Sequence, residues 1–123
     1  MALDILVVDD EAEIRFGMRA ILESWGCEVL LAEGGETAID AVQLTQPAIA
    51  LVDFRLRGND NGIFVIQSLR RLYPDLPALL ISGDTSHDRL RDADEACNTL
   101  IHKPVLPDVL LQSVVSVLQP KYP

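Results

Sequence analysis

The stretch that decides the fold is Ile49 to Asp53, IALVD, in which four apolar or small residues are followed by a carboxylate. A run this short and this apolar is typical of a parallel strand buried on both faces, rather than of a helix. Asp53 then lies at the carboxyl end of the strand, where open α/β sheets hold their ligands. The sequence therefore predicts a parallel sheet with a functional group at the end of one central strand.

Three other predicted strands are also followed by polar side chains. They are Asp4 to Val8 (DILVV) with Asp9 and Asp10, Ala78 to Ile81 (ALLI) with Ser82, and Thr99 to His102 with Lys103. Parallel strands have their carboxyl ends at the same edge of a sheet, so this edge gathers three carboxylates, a hydroxyl and an ammonium group. Asp often only caps strand ends and loops, but a matched set after four strands favours a functional site.

Apolar residues between the strands recur at steps of three and four, as in amphipathic helices. Helices are predicted at Ala12 to Trp25, Gly35 to Thr45, Gly62 to Leu72, Asp84 to Ala96 and Pro107 to Leu118, and one more strand at Glu28 to Ala32. In the first helix the apolar stripe includes Trp25, and Gly26 is the predicted C-cap.

Strands that alternate with helices at this spacing predict right-handed βαβ units and a parallel sheet. Five such units are too few for an eight-stranded barrel. The expected fold class is therefore α/β, a flavodoxin-like (βα)5 doubly wound parallel sheet with strand order 2-1-3-4-5. This order places the first and third strands side by side, which brings Asp9, Asp10 and Asp53 together.

Composition limits the classes of function. The 123 residues suit one domain, so residues 1–123 are expected to form a single unit. A formal net charge of -9 argues against nucleic-acid binding. No apolar run approaches the roughly 20 residues of a membrane span, and the N-terminus does not resemble a signal peptide. We therefore expect a cytoplasmic protein that binds neither nucleic acid nor membrane.

The predicted cluster has the composition of a site for phosphoryl chemistry. Crowded carboxylates repel each other and raise their pKa values unless a cation neutralises them, and oxygen ligands of this kind suit Mg²⁺. Lys103 and Ser82 are suited to stabilise the oxygens of a transferring phosphoryl group. A carboxylate can accept such a group as a mixed anhydride, and Asp53 is the best placed to do so.

At this point the residues match a family. The chain resembles the receiver domain of two-component response regulators along its whole length. The matching motifs are Asp9-Asp10 after the first strand, Asp53 after the third, Ser82-Gly83 after the fourth and Lys103-Pro104 after the fifth. Each motif alone is weak, but the ordered set is highly specific.

The resemblance implies a phosphorelay signalling domain rather than a conventional enzyme. In this family Asp53 would take a phosphoryl group from a phosphohistidine on a histidine kinase or histidine phosphotransfer domain, and would lose it slowly by self-catalysed hydrolysis. Ser82 and Lys103 would contact the phosphoryl group. The Lys103-Pro104 bond is expected to be cis, which is inexpensive only before proline.

The resemblance also implies Mg²⁺ as the cofactor. Its ligands would be the carboxylates of Asp10 and Asp53 and the backbone carbonyl of Arg55, with Asp9 helping through a water molecule.

Two stretches depart from the common pattern. Leu100 stands where many receivers carry the Tyr or Phe that turns inward on activation, and on the same strand face His102 is predicted to be packed and hydrogen-bonded. The loop FRLRGNDNG after Asp53 is similar to that of receivers attached to hybrid sensor histidine kinases. Two origins therefore stay open, a module of a hybrid kinase and a stand-alone receiver.

Three rival functions share parts of this pattern. A flavodoxin-like electron carrier needs a phosphate loop after the first strand, where Asp9, Asp10 and Glu11 would repel the flavin phosphate. A phosphatase of the haloacid dehalogenase type carries D-x-D after its first strand, whereas here the candidate nucleophile follows the third. A pseudo-receiver, an interaction module that is not phosphorylated, stays open as the alternative.

The helix predicted at Pro107 to Leu118 has more apolar surface than one buried stripe requires. A broad core face is the simpler interpretation. The other is a homodimer or domain contact through this helix and the helix predicted at Asp84 to Ala96.

Overall fold

The central feature of the fold is a five-stranded parallel sheet in the order β2-β1-β3-β4-β5. A computed structural model describes residues 3–56, 61–83 and 100–118. The strands are β1 (Asp4–Val8), β2 (Glu28–Ala32), β3 (Ile49–Asp53), β4 (Ala78–Ser82) and β5 (Leu100–His102). The predicted flavodoxin-like topology is confirmed, and β4 extends one residue further than predicted, through Ser82.

Four helices are described, and they cover both faces of the sheet. They are α1 (Ala12–Ser24), α2 (Gly35–Ala41), α3 (Gly62–Leu72) and the C-terminal helix (Pro107–Leu118). The helix predicted at Asp84 to Ala96 lies outside the described residues. Among the described helices, none combines the length and the apolar character that crossing a bilayer requires.

Successive side chains of the strands enter two separate cores, because side chains alternate between the faces of a sheet. On one face, Leu6 and Val52 pack with the buried residues of α2 and α3. On the other, Val7 and Leu51 pack with α1 and the C-terminal helix. All five residues of β3 are buried, as predicted for a central parallel strand.

The first helix ends one residue earlier than predicted, at Ser24, and Gly26 follows it as expected. Gly26 has a φ of +85° and donates its N–H to the carbonyl of Glu23, as expected for a residue that terminates a helix. Trp25, however, lies beyond the last helical residue and is 49% exposed. It lines a surface groove together with Leu111 and Val115 of the C-terminal helix. The prediction that Trp25 belongs to the apolar stripe that α1 buries was therefore wrong.

The second helix is four residues shorter than predicted. It ends at Ala41, and the Gln43 side chain donates to the Ile39 carbonyl, which the Gln43 N–H would bind in a continued helix. That N–H bonds instead to the Asp40 carbonyl, and Leu44 is 99% exposed. A side chain that replaces a backbone donor thus ends the helix before Thr45.

One further departure concerns β5, whereas the C-terminal helix has the predicted bounds. Leu100 is partly buried against the core that contains α2 and α3, but His102 is exposed, so the expectation of a packed histidine was wrong. In the C-terminal helix, Leu110 and Val114 are buried while Val115 is 43% exposed. The predicted homodimer or domain contact through this helix stays a prediction.

Candidate functional site

The site lies where β1 and β3 end side by side. Val8 is paired with Val52, and Asp53 is paired with Ile81 on the other side. One residue beyond Val8, Asp9 therefore stands beside Asp53. This is the topological switch point of the sheet, where α/β proteins bind ligands.

Lys103 is a cation at the centre of the site and, among the described residues, contacts three carboxylates. Its Nζ lies 3.2 Å from Oδ2 of Asp53, 3.6 Å from Oε1 of Glu11 and 4.0 Å from Oδ2 of Asp9. The backbone holds it in place, because the Lys103 N–H donates to the Ser82 carbonyl at 2.9 Å. The peptide bond between Lys103 and the proline after it is cis, as the resemblance implied.

Asp9 carries an unsatisfied buried oxygen. The residue is fully buried, and its Oδ1 accepts a hydrogen bond of 2.9 Å from the Glu11 N–H. Its Oδ2 has no hydrogen-bond partner within the described residues, and Lys103 is 4.0 Å away. Burying a carboxylate oxygen without a partner is costly, so this atom is suited to a cation or to a water bound to one.

The electrostatics of the site are those of carboxylates confined together. Burial and the neighbouring charge of Asp9 raise the pKa of Asp53 to about 6, although Lys103 and a backbone hydrogen bond from Arg55 act in the opposite direction. Burial likewise raises the pKa of Asp9. For Lys103, burial alone would lower the pKa, but the surrounding carboxylates outweigh it and raise the pKa. The charge of Lys103 therefore does not fully compensate the negative charge of the site.

Four carboxylates are close enough to share one metal ion. Asp9, Asp10, Glu11 and Asp53 each offer an oxygen, and these oxygens lie within 4.8 Å of one another. A set made only of oxygen donors fits a hard divalent cation such as Mg²⁺. The orphaned oxygen of Asp9 is a second observation that fits the same ion.

The other predicted residues lie around this cluster. Ser82 is buried at the last position of β4. Arg55 has an exposed side chain and donates its backbone N–H to the Asp53 carboxylate. An antiparallel bridge between Arg55 and Asn61 closes the base of the loop after β3. Residues 57–60 of this loop lie outside the described residues.

Three residues that shape the site were not predicted from the sequence. Glu11 was treated only as a repelling charge, although its carboxylate contacts Lys103. Gly62 lies so close to Asp53 that a Cβ there would collide with the Asp53 carbonyl group. Arg15 is buried and contacts the backbone of Asp9. The adjacency of Glu11 to two aspartates was an available signal, but the other two contacts have no signature in the local pattern.

Comparison with known proteins identifies the class. Residues 5–115 match the family described as response regulator receiver domain. The chain therefore belongs to the response regulator receiver domain family, whose members serve two-component systems.

Individual relatives agree with this assignment. The chain is 31% identical over 122 residues to the phosphate regulon transcriptional regulatory protein PhoB of Escherichia coli, covering 97% of this chain and 53% of that protein. It is 30% identical to the response regulator MprA of Mycolicibacterium vanbaalenii, covering 97% and 52%. The chain thus spans about half the length of the curated relatives it matches.

Solved structures have the same fold. A CheY-like receiver domain protein from Methanospirillum hungatei superimposes with a TM-score of 0.87 at 26% identity, covering 96% of this chain and 94% of that one. NtrX from Brucella abortus superimposes with a TM-score of 0.88 at 31% identity, covering 96% of this chain and 27% of that one.

Proposed function

We propose that this receiver domain accepts a phosphoryl group on the carboxylate of Asp53, with Mg²⁺ as its cofactor. The observation that carries the proposal is the contact of Lys103 Nζ with Asp53 Oδ2 at 3.2 Å, beside the unsatisfied Oδ2 of Asp9. A buried carboxylate with a purely structural role would need a cationic partner such as Lys103, but it would not need a second, fully buried carboxylate beside it whose Oδ2 accepts no hydrogen bond within the described residues.

In the proposed step, a carboxylate oxygen of Asp53 attacks the phosphorus of a phosphohistidine whose ring is protonated. The P–N bond breaks, the electron pair goes to the ring nitrogen, and neutral imidazole leaves. The product is an aspartyl phosphate. Water later attacks the same phosphorus, which releases inorganic phosphate and restores the carboxylate.

The chain's own residues would prepare this step. Lys103 is already held beside Asp53 and can pair with an oxygen of the incoming phosphoryl group, and Ser82 supplies a hydroxyl donor at the neighbouring strand end. The backbone N–H of Arg55 keeps the Asp53 carboxylate oriented. Ser82 would swing toward the phosphoryl group, and Lys103 would pair with it.

Mg²⁺ would be held by Asp10, Asp53 and the backbone carbonyl of Arg55, with Asp9 acting through water. When bound, the ion neutralises charge on the carboxylates and on the phosphoryl oxygens. The partner that fits this chemistry is a histidine kinase or a histidine phosphotransfer domain.

The proposal is tested by the intact mass of the protein after incubation with acetyl phosphate, with and without Mg²⁺. We expect wild type to gain one phosphoryl group only with Mg²⁺, and Asp53→Asn to gain none. Asp40→Asn is the matched control, because Asp40 is an exposed carboxylate on α2 and its loss should leave the gain unchanged.

A wild type that gains no mass is examined further with beryllofluoride, a stable mimic of the phosphoryl group. Binding that depends on Asp53 would indicate a phosphoacceptor whose product is short-lived. No mass gain and no binding would contradict the proposal and favour the alternative, a pseudo-receiver that is not phosphorylated.

A further inference from the structure

Arg15 is a buried charged residue on the inner side of α1. It is 8% exposed and lies on the same helix as the core residues Met18 and Leu22. Burying a guanidinium group is costly unless it is paired and hydrogen-bonded. Its partners therefore indicate why an arginine occupies this position.

The Arg15 side chain makes two polar contacts with described residues, and the shorter one is with the backbone. Nη1 of Arg15 donates to the carbonyl oxygen of Asp9 at 2.7 Å, in a buried environment. Nη2 lies 3.6 Å from Oε1 of Glu33, whose side chain is 73% exposed. An ion pair with so exposed a partner contributes little, so the bond to the Asp9 carbonyl is the principal contact.

This bond completes a closed set of contacts around Asp9, Asp10 and Glu11, here called the acidic loop. The Asp9 N–H donates to the Ala32 carbonyl, and the Asp9 side chain accepts from the Glu11 N–H through Oδ1. The Glu11 carbonyl accepts from the Arg15 backbone N–H at 3.0 Å. With Arg15 on its carbonyl, Asp9 keeps only Oδ2 without a hydrogen bond within the described residues.

We propose that Arg15 is a positioning residue for the cation site. Its guanidinium holds the backbone of Asp9 and thereby aims the acidic loop at Asp53. This inference rests on the proposed Mg²⁺ site and adds to it a residue outside the set of metal ligands.

The choice of atom supports a positioning role. An arginine paired with the carboxylate of Asp9 would occupy the oxygens that a cation needs. Arg15 binds the carbonyl oxygen instead, which leaves the carboxylate available while the backbone is held. Groups that orient metal ligands in this way typically change metal affinity by about 10- to 100-fold when they are removed.

The test is the Kd for Mg²⁺ of the metal-free protein, measured by titration of backbone amide NMR signals at constant ionic strength. We expect Arg15→Met, which keeps the apolar stem, to raise the Kd about tenfold. The Glu11 amide, hydrogen-bonded to Asp9, should also exchange faster with solvent in this variant. Arg15→Gln tests the same contact with a polar side chain in case Arg15→Met does not fold.

Two matched controls accompany the variants. Arg19→Met removes an arginine one turn further along α1 that pairs with Glu23 at the surface, and Glu33→Gln removes the outer partner of Arg15. Both should keep the Kd within about twofold of the wild-type value.

The outcomes separate the inference from the proposed function. Wild type that shows no saturable Mg²⁺ binding would overturn both. Wild-type binding together with an unchanged Kd in the folded Arg15 variants would overturn only the positioning role. If Arg15 merely stabilised the fold, its substitution would lower the free energy of unfolding and leave the Kd of the folded variants unchanged.

Discussion

At the residue scale, Asp53 is subject to opposing interactions. Burial and the nearby carboxylate of Asp9 favour its protonated form, while Lys103 and the Arg55 N–H favour the ionised form. The first pair dominates, since the pKa rises to about 6. In the metal-free protein, the ionised form of Asp53 is therefore costly. A divalent cation bound at the site would lower this cost by neutralising the charge.

This imbalance predicts how stability depends on pH in metal-free protein. The pKa of Asp53 is about 6 in the folded state, against 3.8 for an ordinary carboxyl group. Its favourable contribution is thus complete below pH 4 and is lost as the pH rises through about 6. At pH 7 the folded state carries the cost of ionising this buried carboxyl group, so Asp53→Asn should remove that cost and raise the free energy of unfolding by roughly 1–3 kcal/mol. The difference in the free energy of unfolding between the variant and wild type is measured by urea unfolding at pH 4.5 and pH 7 in the presence of EDTA.

Asp40→Asn is the control for this pH dependence, because Asp40 is an exposed carboxylate on α2. Its free energy of unfolding should follow that of the wild type at both pH values. If Asp53→Asn were less stable than wild type at pH 7, the ion pair with Lys103 would outweigh burial, contrary to the direction inferred here.

At the element scale, two glycines on helices have opposite roles. Gly62 begins α3 against the backbone of β3, where an added Cβ would lie 2.9 Å from the carbonyl carbon of Asp53. Its N–H donates to the Phe54 carbonyl at 2.8 Å. Gly17 lies within α1, and a Cβ there would meet nothing within 4 Å. The close packing of α3 on β3 therefore requires glycine, whereas α1 does not.

These two positions predict opposite effects of the same substitution. Gly62→Ala should lower the free energy of unfolding by about 1–3 kcal/mol, because overpacking forces backbone shifts. Gly17→Ala should raise it by about 0.5–1 kcal/mol, because alanine loses less conformational entropy in a helix. Urea denaturation of both variants and the wild type measures the difference.

Equal destabilisation by the two alanine variants would contradict the assignment of the close contact to α3. The amide signals of Asp53 and Phe54 provide a local check. They should shift in Gly62→Ala and stay in place in Gly17→Ala.

At the scale of the whole molecule, the strand order creates the site. Only an arrangement with β3 between β1 and β4 brings the residue after Val8 beside Asp53 and Lys103 within reach of both. Ligand binding at this edge joins segments that are distant in the chain. Binding should therefore stabilise the entire fold.

We accordingly expect Mg²⁺ to raise the unfolding temperature of the protein at pH 7. A concentration ten times the Kd adds about 1.4 kcal/mol to the free energy of unfolding when only the folded state binds. Asp53→Asn should lose most of this gain, and EDTA should reverse it in wild type. Scanning calorimetry with NaCl of matched ionic strength is the measurement, and equal stabilisation by NaCl would indicate screening rather than binding.

Much of the architecture could be predicted because hydrophobic periodicity is a local property. Buried runs such as Ile49–Asp53 predict parallel strands, and all five predicted strands are present. Their bounds agree to within one residue where the structure describes them, and Thr99, the predicted start of β5, lies outside the described residues. The errors occur where a tertiary or side-chain contact competes with the pattern. Gln43 ends α2 early through its own amide, and Trp25 lines a surface groove with residues of the C-terminal helix instead of entering the core.

The candidate site likewise has features that the sequence predicts and features that only the tertiary structure shows. The sequence by itself determined which polar residues follow each strand and, through the family resemblance, what roles to expect for them. Only the tertiary structure decided that Lys103 contacts three carboxylates, that one oxygen of Asp9 is left without a hydrogen bond, and that Arg15 is buried against the Asp9 carbonyl. Lys103 and Asp53 are 50 positions apart in the chain. Contacts over such separations depend on how the strands and helices pack together, and the packing is not encoded in the local pattern around either residue.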